Sequence, residues 1–414
     1  MTTVAVSVHS PAATRVSQGP VLLVGIDDGP SLSAHRARVG ATPPVTLEAL
    51  LAAARAVDLR GRGGAAFPFA TKLAAAKPRR AVVVINASEG EPASFKDTTL
   101  LTRAPHLVLD GAAVVAAALR TREVHLVVPS ERPWVGVAAR AALAERAGTG
   151  ERIKWQLHEA APRFVAGQAR AVLELLAGRE NLPVTSWQPE AISGHKGRPT
   201  VLSNAETFAQ IAALIRLGAD GYARRGSGDE PGTTLLTIGG DGPSPTVLEV
   251  PYGTPLTDVL PDESLGRPLL VGGYHGAWIG QQDVPSLTVS RIAMAAIGAR
   301  LGAGVVLPLA VGLCPLRRTS QIVTYLAAQT AGRCGPCRNG LPTLATEVSA
   351  LLAGTGNVQR VQELVGIVTR RGACAHPDGT AALVASALQR FPAEVHAHEA
   401  GLCEFGRLAT RVAP

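Results

Sequence analysis

The run AVVVI at residues 81–85 is short, wholly apolar and rich in valine, and it breaks straight into the polar, acidic stretch NASEGEP at residues 86–92. An apolar run without polar alternation is the mark of a parallel strand buried on both faces. In open α/β sheets, ligands bind in the crevice outside the carboxyl ends of such strands. Asn86, Ser88, Glu89 and Glu91 are therefore expected to face a pocket, with amide and carboxylate groups able to bond a polyhydroxyl chain or a ring edge. A solvated acidic loop is the competing interpretation.

A second segment narrows the choice. LRGRGGAAFP at residues 59–68 follows a helix-like run, TLEALLAAARAV, so the chain must turn tightly at Gly61, Gly63 and Gly64, where backbone can approach a ligand. Arg62 sits among those glycines, and its fork of donors, with the exposed amides, suits a phosphate oxygen or an electron-rich ring edge. A phosphate-bearing cofactor is the natural guest, although such a turn taken alone is equally a plain tight loop. Facing the acidic strand end, it suits a ribityl chain, a flavin edge or a ribose.

The chain has 414 residues, more than one core normally organises, and 46% of them are hydrophobic, ample for burial. Residues 1–45, with scattered Ser, Thr, Pro and Gly, read as an extended lead-in with one short strand, VLLVGI. From 46 to 225, helical runs such as PHLVLDGAAVVAAALR alternate with strands such as EVHLVVP, which predicts an α/β domain with a parallel sheet. From 226 to 300, TTLLTIGG, TVLEVPYG and PLLVGGYHG are short strands around a helix-like TPLTDVL, as in a β-grasp module. From 301 to 414, runs such as SQIVTYLAAQT and VQRVQELVGIVTR repeat apolar residues at helical spacing and predict a small bundle.

The formal charge of +8 raises the question of nucleic acid, but the basic residues are dispersed, aromatics are few and no recognition helix or stacking platform is evident. A basic surface suits an acidic redox partner such as a ferredoxin, unless it reflects simple composition bias. No stretch reaches about 18 uninterrupted apolar residues, so no direct membrane insertion is expected. The start lacks the pattern of a secretory signal, and a disulfide framework is disfavoured in a long, cysteine-poor chain. The expected location is cytoplasmic, with any membrane association made through a partner.

Five cysteines are present. Cys334 and Cys337 form C-x-x-C, and Cys374 with Cys403 could complete the four ligands that an iron–sulfur centre usually needs. Tetrahedral zinc on C-x-x-C and two distant thiols fits the same spacing.

Taken together, LRGRGGAAFP, Lys72, NASEGEPASFKD, PHL at residues 105–107, LSNAET at 202–207, YGTPLTDVL at 252–260, CGPCRNGLP at 334–342 and ACAHPDG at 373–379 resemble the FMN- and NADH-binding subunit of respiratory complex I. Diaphorase subunits of NAD-linked hydrogenases and formate dehydrogenases share the pattern. The resemblance covers nearly all of the chain in family order. It implies an FMN-binding α/β domain, a β-grasp (SLBB-like) module and a helical bundle carrying an iron–sulfur site, of the 4Fe–4S type.

Position by position, the resemblance implies that Gly61, Arg62, Gly63, Gly64, Lys72, Asn86, Ser88, Glu89, Ser203, Asn204 and Thr207 contact FMN. Phe67 would line the nicotinamide site, and Glu91 would lie near the nucleotide. Where the family has aromatic-x-x-Gly-Glu-Glu, this chain keeps Phe164 and Gly167 but has Gln168 and Ala169 in place of both acids. A second adenine-stacking aromatic corresponds to about Ala75, and the usual Pro-Pro-Phe-Pro is TSWQPEA, in which Trp187 offers a substitute surface. The first cysteine of the family's cluster motif is Ala331 here, so Cys403 is put forward as the replacement fourth ligand, with Cys314 and His376 as alternatives. The implied chemistry is hydride transfer from NADH to FMN, then single electrons to the cluster and on to a ferredoxin-like or other iron–sulfur partner. A flavin-bearing or cofactor-free docking subunit that no longer oxidises NADH is the alternative. A zinc-stabilised scaffold stands third.

Overall fold

The computed structural model describes residues 14–239 and 244–405. The first part of the expected lead-in, residues 240–243 and the last nine residues of the expected bundle lie outside the described residues.

The chain opens with β1 (Arg15–Val16) and α1 (Leu32–Val39), which lies inside the stretch expected to be extended. VLLVGI forms bends and a single 3₁₀ turn instead of a strand. The N–H groups of Val21, Leu22 and Leu23 all donate to one oxygen of Glu249, at 3.1, 2.8 and 2.9 Å. Three consecutive amides converging on one carboxylate cannot alternate along a ladder, so the apolar run is buried as a knot rather than paired.

Next come α2 (Leu47–Ala56), α3 (Phe69–Ala75), β2 (Val82–Asn86), α4 (Lys96–Arg103), α5 (Pro105–Ala118), β3 (Glu123–Pro129), α6 (Pro133–Ala147), β4 (Lys154–Ala160), α7 (Ala169–Leu176), β5 (Thr200–Asn204) and α8 (Ala205–Ala223). The four strands make one parallel sheet, ordered β4-β3-β2-β5. The reason for the apolar run is visible in β2. Val83 and Ile85 join the large core with α5 and α8, while Val82 and Val84 pack on the other face with Val172 and Leu173 of α7. Successive side chains point to opposite faces, and both faces are covered. Each fully buried valine or isoleucine contributes roughly 1.5–3 kcal/mol.

The second sheet uses β6 (Thr233–Ile238), β7 (Thr246–Pro251), β8 (Leu269–Val271), β9 (Ala277–Ile279) and β10 (Val305–Pro308), with α9 (Arg291–Ala296) between the last two. Its order is β1-β7-β6-β10-β8-β9. The central β6/β10 pair is parallel and is flanked by antiparallel β7 and β8. β10 extends this module past residue 300, and the helix-like TPLTDVL is only a 3₁₀ turn at Leu256–Asp258.

The bundle holds α10 (Pro315–Ala328), α11 (Leu341–Leu352), α12 (Val358–Val368), α13 (His376–Arg390) and a short α14 (Pro392–Glu399) around Ile322, Val323, Leu344, Leu364 and Leu383. Among the described residues no single helix is long and apolar enough to cross a membrane.

Candidate functional site

The glycine turn is closed at its base by Gly61 N–H to Phe67 O, 2.9 Å, and Phe69 N–H to Leu59 O, 2.8 Å. Gly64 has φ of 98°, a conformation open to glycine at no steric cost. The turn lies on the start of α8. Arg62 N–H donates to Thr207 Oγ1 at 2.9 Å, Asn204 Nδ2 donates to Arg62 O at 3.2 Å, and a Cβ on Gly63 would stand 3.7 Å from that of Asn204. Asn204 also caps α8, its Oδ1 accepting from Thr207 N–H at 3.1 Å and from the Thr207 hydroxyl at 2.5 Å.

Asn204 is the direct register partner of Asn86 across β2 and β5. Asn86 donates to Gly167 O at 2.8 Å and accepts from the Ser88 hydroxyl at 2.6 Å. Lys72 reaches Leu202 O at 2.7 Å and Glu190 at 3.0 Å. Gly61, Gly63, Gly64, Lys72, Asn86, Ser88, Gly167, Ser203, Asn204 and Thr207 are thus drawn together around the strand ends. Gly63 is exposed, Asn86, Gly167 and Lys72 are half-buried, and Phe67 at the rim is 49% exposed.

The residues fit FMN. Glycines without side chains leave room for a flat ring, the Asn86 amide keeps one donor beyond its bond to Gly167 O, and Lys72 offers a charged donor. The start of α8 is itself engaged, Glu206 N–H by Asp97 and Thr207 N–H by Asn204. Two loops of the crevice hold non-glycine residues at positive φ, Ala66 at 49° and Glu89 at 43°. Such strain, of order 1–3 kcal/mol each, concentrates where surroundings over-determine a functional loop.

Several expected site residues have other partners. The Arg62 guanidinium does not form the anticipated fork toward a ligand: it is buried, donating to the Tyr252 hydroxyl and to Thr233 O at 3.1 Å, with Glu206 at 3.9 Å. Burial opposes its charge, but Tyr252, Tyr222 and Glu206 more than compensate and hold its pKa above the ordinary arginine range. A buried cation needs such partners, and the Arg62 backbone is engaged too, its N–H by Thr207 and its C=O by Asn204.

Glu89 is similarly committed. Its carboxylate accepts from Arg132 at 2.8 Å, from the Thr98 hydroxyl at 2.6 Å, from the Ser94 hydroxyl at 2.8 Å and from Asp97 N–H at 2.9 Å. Against burial, Arg132, Thr98 and Lys96 hold it below the usual carboxylate range. Glu91 lies under the turn of the second module and accepts from Tyr274 N–H at 2.8 Å. Burial pushes its carboxyl up to about 7, although the Tyr274 and Ala93 amides pull the other way.

Phe164 points to the junction of the three units, with ring centres 4.5 Å from His275, 5.5 Å from His376 and 6.3 Å from Tyr325. Its N–H donates to Gln329 at 3.0 Å. Gly90 makes this possible, since a Cβ there would meet Phe164 O at 2.5 Å. Trp187 is 96% exposed, on an open cleft with Arg170, Arg179 and Lys196.

Cys334, Cys337 and Cys374 come together. Burial pushes the Cys337 thiol up to about 11, with Cys334 and Cys374 adding to the shift, and the Cys374 thiol accepts from His376 N–H. Cys403 joins a different group. Its thiol donates to Glu394 at 3.0 Å, and it lies within 4.8 Å of ligand atoms of Cys314 and His398. The assignment of Cys403 as fourth cluster ligand is therefore corrected. Residues near in sequence to the last helix fold back onto the start of α10, a tertiary contact that spacing does not reveal. His376 is also engaged at both ring nitrogens, by His275 at 3.0 Å and Leu326 O at 2.9 Å.

Residue-by-residue reading of the sequence missed the charged support beneath the crevice. Lys96 contacts Asp97 at 2.9 Å and Glu206 at 3.2 Å, and Asn204 reaches Asp97 at 3.2 Å. Opposing the burial that favours its neutral form, Asp97, Glu206 and Glu89 hold the Lys96 ammonium above the ordinary lysine range. Lys96, Asp97 and Glu206 stand within NASEGEPASFKD and LSNAET, so the motifs contained the signal but the residue types alone did not separate buried support from ligand contact. Arg132 and Glu190 lie outside those motifs.

Residues 54–213 match the Nuo51 FMN-binding domain, and residues 317–398 match the NADH-ubiquinone oxidoreductase-F iron-sulfur binding region. The chain is similar to the F subunit of NADH-quinone oxidoreductase from Mycobacterium tuberculosis (strain ATCC 25618 / H37Rv), 30% identical over 84% of this chain and 84% of that protein. It is also similar to the F 2 subunit of NADH-quinone oxidoreductase from Rhizobium meliloti (strain 1021), 28% identical over 93% of this chain and 99% of that one. A crystal structure of NAD+-reducing NiFe hydrogenase in the air-oxidized state superposes with a TM-score of 0.81 at 26% identity, over 93% of this chain and 68% of that chain. With its crevice at the strand ends, its cysteine loops and these matches along both regions, this chain belongs to the family of NADH-quinone oxidoreductase F subunits, the FMN- and iron–sulfur-binding oxidoreductases of NADH-dehydrogenase type.

Proposed function

We propose that this protein is the NADH-oxidising component of a larger electron-transfer assembly and delivers single electrons to an iron–sulfur partner, such as a ferredoxin-like protein. The observation that carries this reading is the convergence of the glycine turn with the ends of β2 and β5, through Arg62 and Asn204 and the Asn86–Asn204 register pair. FMN, when bound, supplies the conversion of a two-electron hydride into single electrons. The chain supplies position and electrostatics. Gly63 and Gly64 would leave the ring a flat approach, Asn86 would orient its polar edge while Asn204 holds the glycine turn, and Lys72 would receive the phosphate. Phe67, exposed at the rim, gives the nicotinamide a stacking surface. Cys334, Cys337 and Cys374 hold the cluster, and the segment from Phe164 to Gly167 touches the crevice at one end and the cysteine loops at the other. Any contact with a membrane is made through the partner.

The test is addition of NADH, without oxygen, to the purified flavin-loaded protein. The expected result is bleaching of the flavin absorbance followed by loss of cluster absorbance. Bound flavin that never bleaches would favour the second reading, a docking subunit that has lost NADH oxidation. The specific observation behind that reading is Gln168 and Ala169 at the start of α7, where the family pattern has two acids.

A further inference from the structure

At the far end of the bundle, Cys314 at the start of α10, Glu394 and His398 one turn apart on α14, and Cys403 just beyond it bring one ligand atom each within 4.8 Å of all the others. Cys314, Glu394 and His398 are buried, in a region otherwise lined by Leu316, Leu351 and Val395. The measured edges are Cys314 Sγ to Glu394 Oε1, 3.2 Å; Cys314 Sγ to His398 Nε2, 3.4 Å; Cys403 Sγ to Glu394 Oε1, 3.0 Å; and Glu394 Oε1 to His398 Nε2, 3.2 Å. Bonds of about 2.0–2.3 Å to zinc in a tetrahedron give ligand-to-ligand edges of about 3.3–3.8 Å. These four edges need to expand by only a few tenths of an ångström, roughly, to take the ion, and the other two are within 4.8 Å.

We propose that Cys314, Glu394, His398 and Cys403 form a structural zinc site, separate from the iron–sulfur cysteines and not used in electron transfer. The surrounding bonds orient the ligands as such a site requires. His398 Nδ1 faces Leu352 O at 3.1 Å, so the proton sits there and the Nε2 lone pair points inward. The second oxygen of Glu394 accepts from Glu404 N–H at 3.2 Å, and the Cys314 sulfur accepts from Arg317 N–H. Two thiol protons now directed at Glu394 leave when the ion enters, so one Zn2+ replaces two H+ with no net change of charge. Two thiolates, an imidazole and a carboxylate in a closed, buried tetrahedron suit zinc over the hard cations. The ion ties α14 and the following segment to the start of α10, closing the bundle whose other end carries Cys334, Cys337 and Cys374.

The experiment is metal analysis of the anaerobically purified full chain with its flavin and iron, joined to X-ray absorption at the zinc edge. About one zinc per chain, bound by two sulfurs and two lighter atoms at about 2.3 and 2.0 Å, is expected. Cys314→Ser and His398→Gln are expected to lose zinc while keeping iron and flavin, and Co2+ added to chelator-treated protein should give thiolate charge-transfer bands. Wild-type protein that holds no zinc and gives no cobalt bands overturns the proposal without recourse to any variant. So does a Cys403→Ser protein that loses iron while retaining zinc, or peptide mapping that finds Cys314 and Cys403 oxidised to a disulfide.

Discussion

Two glutamates two positions apart, Glu89 and Glu91, show how much of a residue's role is decided by its neighbours. Glu89 is surrounded by donors and stays ionised, so it braces the loop that carries Ser88. Glu91 is half-buried under Tyr274 with fewer donors, and its pKa rises from about 4.5 to about 7. Because the folded value lies above the unfolded one, its contribution to stability is fully present below about pH 4.5 and is lost as pH rises through about 7. Glu91→Gln is therefore expected to flatten that part of the profile, by an amount of order 2 kcal/mol. Urea unfolding midpoints collected across this pH range check it; a variant that follows the wild-type slope assigns the pH dependence elsewhere.

At the scale of elements, α8 begins where the crevice needs it because Asn204 serves two purposes at once. Its Oδ1 caps the helix, and its Nδ2 holds the glycine turn through Arg62 O. Replacing it with alanine removes the cap, at a cost of roughly 0.5–2 kcal/mol, and frees the turn. Asn204→Ser restores a capping oxygen but not the amide donor. Chemical denaturation should thus find Asn204→Ser nearly as stable as wild type and Asn204→Ala weaker, while both carry less flavin after purification. If both retain full flavin, the glycine turn is held by other contacts.

At the scale of the whole molecule, the three units meet at Phe164. Its backbone bonds α10, its ring lies among His275, Tyr325 and His376, and Gly167, three residues on, touches Asn86. A shorter side chain loosens this junction without altering the crevice. Phe164→Leu is expected to leave the rate of NADH-dependent flavin bleaching close to wild type and to slow the later reduction of the cluster several-fold, read by stopped-flow absorbance. Equal slowing of both phases would mean that Phe164 supports the crevice itself.

The alternation of apolar strands and helices, the valine run of β2 and the glycine turn made the parallel sheet and its ligand edge legible in the sequence, because burial on both faces and freedom at positive φ leave few residue types. The helical spacing after residue 315 likewise announced the bundle. What only the tertiary structure decided was which charged and sulfur-bearing groups meet. VLLVGI has the composition of a strand, yet its amides converge on Glu249, 226 to 228 residues away. Arg62 turns from the crevice to Tyr252, and Cys403 to Cys314, because partners for a buried cation or thiol come from distant segments. Local pattern records which faces are buried; it does not record what lies across them.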